Sequence, residues 1–158
     1  MNQKKLKYLF LICIMIITSF ISCKKTQDQV EKEQLINAIN QTQINENYRW
    51  IVVLPGLGCH GCIQEGEAFM RDHIKDNDIL FVLTKISSLK ILQQKIGMKI
   101  TEQANVYIDK KDIFSISTDN GIYPCIIKME EGKVSTHEFQ SPKNGSAFAK
   151  LNSLIAVK

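Results

Sequence analysis

Apolar positions along the 158-residue chain fall into two rhythms. Near-continuous runs rich in β-branched residues, at 48–54 and 78–84, predict strands covered on both faces, and 104–108 predicts a shorter one. Elsewhere the spacing is helical. Residues 30–44 carry Val30, Leu35, Ile36 and Ile39 among polar neighbours, which predicts a leading amphipathic helix. Residues 61–75 turn Ala68, Phe69 and Ile74 inward and leave Glu65, Glu67, Arg71 and Asp72 to solvent. Residues 87–96 read as a helix capped by Ser87 or Ser88 and stopped by Gly97. A charged turn at 109–112 leads to the apolar stretch 113–116, expected to be a short helix. Strands at 125–129 and 134–139 flank Glu130-Glu131-Gly132-Lys133, a hairpin turn. Residues 146–157 close the chain as a helix with Phe148, Leu151, Leu154 and Ile155 on one side. Strands separated by helices, followed by a hairpin and a last helix, predict an α/β fold with a central mixed sheet flanked by helices.

The N-terminal pattern is of another kind. Lys4, Lys5 and Lys7 precede a short apolar run that ends in Thr18-Ser19-Phe20-Ile21-Ser22, the layout of an export signal over residues 1–22. A retained membrane-spanning helix is the other reading, but about 15 apolar-leaning residues fall short of the roughly 20 that a span needs. The formal net charge is +4, and removing those lysines leaves 17 basic against 16 acidic residues. No basic field then remains to draw nucleic acid. Hydrophobic content of 44% is ordinary for a globular protein, and the remaining length suits one domain with a real core.

Cysteine usage sharpens the picture. Of five cysteines, Cys13 falls in the signal and Cys23 just after it, which leaves Cys59, Cys62 and Cys125. Three are too few for a disulfide-stapled scaffold. Cys59 and Cys62 close the run Pro55-Gly56-Leu57-Gly58-Cys59-His60-Gly61-Cys62, between a predicted strand and a predicted helix. Two intervening residues put both sulfurs on one side of a helix start, within bonding reach. The first thiol lies at the positive end of the helix dipole, which favours thiolate. Cys59 is therefore the expected nucleophile and Cys62, a turn inside, the resolving thiol.

A strand–CxxC–helix context signals redox chemistry rather than zinc. An inert disulfide and a pair of zinc ligands are the other readings; zinc takes four ligands, and no second Cys/His pair stands at metal spacing. No metal and no cofactor is expected. His60 between the cysteines would favour the thiolate and so make the disulfide a better oxidant if its cation faces the sulfur; a ring pointing to solvent is the other reading. Glu65 lies one turn beyond Cys62 on the same helix face and is either a proton-handling group or a surface carboxylate. Cys125 reads as a small apolar strand residue, and His73 and His137 as isolated core or surface histidines. Ile63 stands where c-type haem attachment needs histidine.

Two resemblances add to this. Phe20-Ile21-Ser22-Cys23 resembles the lipobox of bacterial lipoproteins, with Phe20 where leucine is usual, which implies lipidation at Cys23. Residues 23–47 would then be a tether and leading helix, and 48–158 the working domain. The CxxC junction, Tyr123-Pro124 some sixty residues on, the hairpin and the final helix resemble the thioredoxin-like fold. Cys59-x-x-Cys62-x-x-Glu65 and Tyr107-Ile108-Asp109-Lys110-Lys111 are similar to the TlpA-type envelope thiol–disulfide oxidoreductases.

The resemblance implies catalysis by Cys59 and Cys62 with help from Glu65. It also implies a substrate groove made by His60, Gly61, Tyr123 and Pro124, with a cis bond before Pro124; a trans proline opening an edge strand is the alternative. Ordinary thioredoxins have an acid where Val53 stands and tryptophan where Gly58 stands. Partners would be exported proteins with cysteines or disulfides, and an upstream redox partner that the sequence does not name. The location would be the cell envelope, anchored by the N-terminal lipid and facing the periplasm, with reduction the favoured direction. The competing reading is a non-enzymatic thioredoxin-like lipoprotein that binds metal or a protein partner.

Overall fold

The computed structural model describes residue 3, residues 25–44 and residues 47–157. The expected signal, Gln3 apart, and the expected lipidation site Cys23 lie outside the described residues. No described helix is long and apolar enough to cross a membrane.

Five strands form one mixed sheet: β1 (Trp50–Pro55), β2 (Ile79–Thr84), β3 (Val106–Asp109), β4 (Cys125–Glu130) and β5 (Lys133–Phe139). Their order is β3-β2-β1-β4-β5. β1, β2 and β3 run parallel, while β4 is antiparallel to β1 and to β5. β1 and β2 are buried along their whole length, as their unbroken apolar runs require. Glu131 and Gly132 both have positive φ, so the hairpin takes the tight turn whose twist matches its strands. The four described helices are α1 (Gln27–Thr42), α2 (His60–His73), α3 (Leu89–Ile96) and α4 (Ala147–Ala156). A central mixed sheet flanked by helices is the α/β architecture expected from the pattern, and with its C-terminal hairpin plus helix it matches the thioredoxin-like fold that the resemblance implies.

Alternation along the strands divides the core in two. Trp50, Val52, Leu54, Ile79, Phe81, Leu83 and Ile126 face α2, α3 and α4, where they meet Phe69, Met70, Leu92, Ile96, Phe148 and Leu151. Ile51, Val53, Leu80, Val82, Cys125 and Ile127 face the other way, against Leu35 and Ala38 of α1 and Phe114 of the long β3–β4 connection. Phe69 stacks on Phe148 at 4.9 Å between ring centres and on His73 at 4.4 Å, so His73 belongs to the packing.

Local chemistry moves some boundaries. Thr26 and Gln29 form a reciprocal capping box, so α1 starts three residues before the apolar spacing does. Gln43 is left-handed at φ 50° and ends α1 before Ile44. Ser88, not Ser87, caps α3, accepting from the Ile91 amide at 3.3 Å. The short helix expected at 113–116 does not form. The buried Asp109 carboxylate takes the amides of Lys111, Ile113 and Phe114 at 3.2, 3.0 and 2.8 Å, and this competes with a helical turn. In the last helix Phe148 and Leu151 are buried, but Leu154 is exposed.

Strand direction then places the site. The C-terminal ends of β1, β2 and β3, the start of β4 and the end of β5 lie at one end of the sheet, with Val53 opposite Cys125 and Cys125 opposite Phe139. The segments 56–59, 85–88, 110–124 and 140–146 all leave from that end. Ligand sites of open α/β sheets sit there, beyond the carboxyl ends of the parallel strands.

Candidate active site

Cys59 is the N-cap of α2 and Cys62 lies in the first turn, with 5.3 Å between their Cα atoms and their sulfurs joined in a disulfide. Cys59 is half-buried and Cys62 is buried, so the outer sulfur is the approachable one. No side chain caps α2 and no acidic residue stands in its first turn. The positive end of the dipole is therefore left to the Cys59 sulfur, which it would stabilise as thiolate once the disulfide is reduced. Arg71 and His73 in the last turn complement the other end. His60 and Gly61 are exposed beside the pair.

The approach to α2 is shaped by Gly58. Its φ is +146°, which side-chain-bearing residues rarely adopt, and an added Cβ would lie 2.2 Å from the Ile122 carbonyl oxygen. That carbonyl accepts the Cys59 amide at 3.1 Å. A single turn of 3-10 helix, Asp119–Ile122, is thus pressed against the helix start, as residues far apart in sequence. Leu57 and Ile122, on the two sides of this contact, are among the large apolar side chains left exposed.

Tyr123 is half-buried and Pro124 buried, at the foot of β4. Among the described residues every peptide bond is trans, so the cis bond expected before Pro124 is not formed. Tyr123 is extended, φ −109° and ψ 149°, the conformation that suits a residue before proline. The trans isomer is also the favoured one by about 0.5–1 kcal/mol in X–Pro bonds. Pro124 still borders α2: a Cβ on Gly66 would lie 3.4 Å from Pro124 Cγ and 2.6 Å from Leu54 Cδ2, so a side chain at 66 would have to push the end of Leu54 aside.

Glu65 is an exposed residue, but its carboxylate accepts a hydrogen bond from Gln140 Nε2. Gln140 is buried; its Nε2 also donates to the Gly145 carbonyl at 3.0 Å, its Oε1 accepts the Phe148 amide at 3.2 Å, and its own amide donates to the Pro124 carbonyl at 2.9 Å. One glutamine thereby joins α2, Pro124 and the start of α4. It was not foreseen, since nothing in its local sequence sets it apart from a loop residue after a strand.

Two polar groups on the α1 face were likewise missed. Glu31 is buried, 3% exposed, and accepts from Thr118 Oγ1, from Asn120 Nδ2 at 3.0 Å and from Gln27 Nε2 at 2.9 Å. His137 Nε2 lies 3.4 Å from its second oxygen, so this histidine is part of a buried cluster rather than isolated. Burial acts to raise the Glu31 pKa, but the hydrogen bonds from Thr118, Gln27, His137 and Asn120 together hold it below the ordinary carboxylate value. Cys125, buried opposite Val53, is different. Burial, with the charges of Glu31 and Glu138, pushes its thiol far above the usual range, so it stays protonated.

No family model and no curated protein matches this chain.

Proposed function

We propose that the chain is a lipid-anchored envelope thiol–disulfide oxidoreductase that works on exported proteins, with reduction as its direction. The observation that carries the thiol–disulfide chemistry is the Cys59–Cys62 disulfide at an uncapped helix N-terminus, outer sulfur half-exposed and inner sulfur buried; the anchor, the substrates and the direction rest on the resemblances. In the reducing direction the Cys59 thiolate attacks one sulfur of a substrate disulfide. The substrate S–S bond breaks, its other sulfur leaves as thiolate and takes up a proton, and a Cys59–substrate disulfide forms. Cys62, deprotonated, then attacks Cys59 Sγ, which releases the second substrate thiol and closes the Cys59–Cys62 disulfide. The substrate has gained two electrons, and a dithiol protein upstream must restore them.

Exposed Leu57 and Ile122 supply apolar contact for an extended substrate beside Cys59, with His60, Gly61, Tyr123 and Pro124 lining the approach. In this reading Glu65, three residues beyond Cys62 in α2 and hydrogen-bonded by Gln140, moves the proton that Cys62 must lose. The export signal and the lipid on Cys23 belong to the same reading, since a disulfide exchanger for exported proteins needs an oxidising compartment.

Trapping tests it. In cells, Cys62→Ser is expected to accumulate mixed disulfides on Cys59, and the trapped proteins identify substrate and direction. Purified protein is expected to reduce insulin, and Cys59→Ser to abolish this. A Cys59–Cys62 potential below about −300 mV without thiol exchange would mark a structural disulfide and leave a non-enzymatic binding module instead.

A further inference from the structure

Glu31 belongs to α1, yet through its hydrogen bonds it bears on the active-site helix. Thr118 caps the Asp119–Ile122 turn, its hydroxyl accepting the Asn120 amide at 3.4 Å and its carbonyl the Gly121 amide at 2.9 Å. Asn120 closes the same turn by accepting the Tyr123 amide at 3.0 Å. Both residues donate side-chain hydrogen bonds to one oxygen of Glu31. Next to them, Gln34 and Ser117 exchange two hydrogen bonds of 2.7 and 3.0 Å, so α1 grips this segment at two successive turns. From Asn120 it is two residues to Ile122, whose carbonyl holds the Cys59 amide.

We propose that Glu31 is a positioning residue for Cys59: its carboxylate clasps the Asp119–Ile122 turn, and the turn fixes the backbone from which the nucleophilic sulfur projects. A buried carboxylate in this place is costly unless its acceptor capacity is used. Here it is used by the two residues that shape the turn. Among the described residues Asp28, whose Oδ1 lies 3.7 Å from His137 Nε2, His137 itself and the buried Cys125 thiol, which feels the Glu31 charge, are the other charged or titratable groups near the carboxylate. The thiolate gains from the helix N-terminus only while Cys59 stays aligned with the first-turn amides, and the Ile122 contact provides that alignment. In this way the leading helix reaches into the redox site. The proposal deepens the oxidoreductase reading, and its readouts do not require turnover.

The test uses the full chain purified in detergent. Hydrogen exchange of the oxidised protein and the pH profile of Cys59 alkylation by iodoacetamide, in a Cys62→Ser background and resolved by mass spectrometry, are compared with and without Glu31→Ala. The Cys59 and Tyr123 amides are expected to lose about tenfold or more in protection while Val52 and Phe81 keep theirs. The alkylation midpoint is expected to rise by about one pH unit, a tenfold loss of thiolate below it. Glu31→Gln keeps an oxygen for Thr118 and Asn120 and is expected to restore most of both readouts. Asn120→Ala, which opens the clasp from the other side, is expected to act like Glu31→Ala and stands in for it should that variant not fold.

Unchanged Cys59 protection and an unmoved midpoint would overturn the proposal. So would an equal loss of protection at Val52 and Phe81, which would make Glu31 a general stabiliser. Failure to reduce insulin would instead count against the oxidoreductase reading and leave the clasp standing.

Discussion

On one side of the sheet three helices pack chiefly through aromatic and aliphatic side chains; on the other a single helix and a long connection add to an apolar cluster of their own a set of hydrogen bonds to the buried Asp109 and Glu31 carboxylates. The disulfide lies where the two meet. Cys59 and Cys62 open α2, which belongs to the first side, while the Ile122 carbonyl that holds the Cys59 amide belongs to the second. Apolar packing is strong and weakly directional, so it is suited to carrying a helix. Hydrogen bonds to a fixed carboxylate are directional, so they are suited to setting a turn against the helix start at Cys59.

The largest effect should come from breaking the apolar side. Phe69→Ala removes a ring stacked between Phe148 and His73 and is expected to cost about 3–5 kcal/mol, read by chemical denaturation. The seam itself is next. Gly58→Ala would press a methyl group onto the Ile122 carbonyl at a backbone φ of +146° and is expected to cost about 1–3 kcal/mol. It should also slow Cys59 alkylation, because the Asp119–Ile122 turn must move away; an alkylation rate equal to wild type would show that the contact does not govern the sulfur.

The polar side has its own signature, in acid. The folded Glu31 pKa lies below its unfolded value of 4.5, so its contribution is fully present above that value and is lost as pH falls through the folded value. Denaturation midpoints measured between neutral pH and about pH 3 should therefore fall in the wild type. They should fall less steeply in Glu31→Gln, which has no carboxylate there to protonate. The smallest effect should come from a cap on the apolar side. Ser88→Ala removes the acceptor of the Ile91 amide and is expected to cost about 1 kcal/mol with no change in thiol reactivity.

Much of this was legible in residue order because it depends on near neighbours. Alternation and helical spacing depend on the chain's own periodicity, so five strands and the described helices could be placed to within a few residues of their ends. The two cysteines could be assigned to a helix start for the same reason: two residues of separation and a preceding strand are local facts. The contribution of residues 113–116 was misread because Asp109, a few residues earlier, spends its carboxylate on their amides.

Contacts made by folding carried the rest. Glu31 and Asn120 are 89 positions apart, and Glu65 and Gln140 are 75 apart. No spacing rule reaches that far, and each residue looks alone like a solvated polar group. The peptide bond before Pro124 is a separate case: it is trans, the isomer that X–Pro pairs favour by themselves, and the cis bond was expected only from the resemblance. Periodicity is a property of the chain, so it survives in one dimension. Which buried polar atoms find each other depends on how the two faces of the sheet are covered, and that is settled only when the chain has closed on itself.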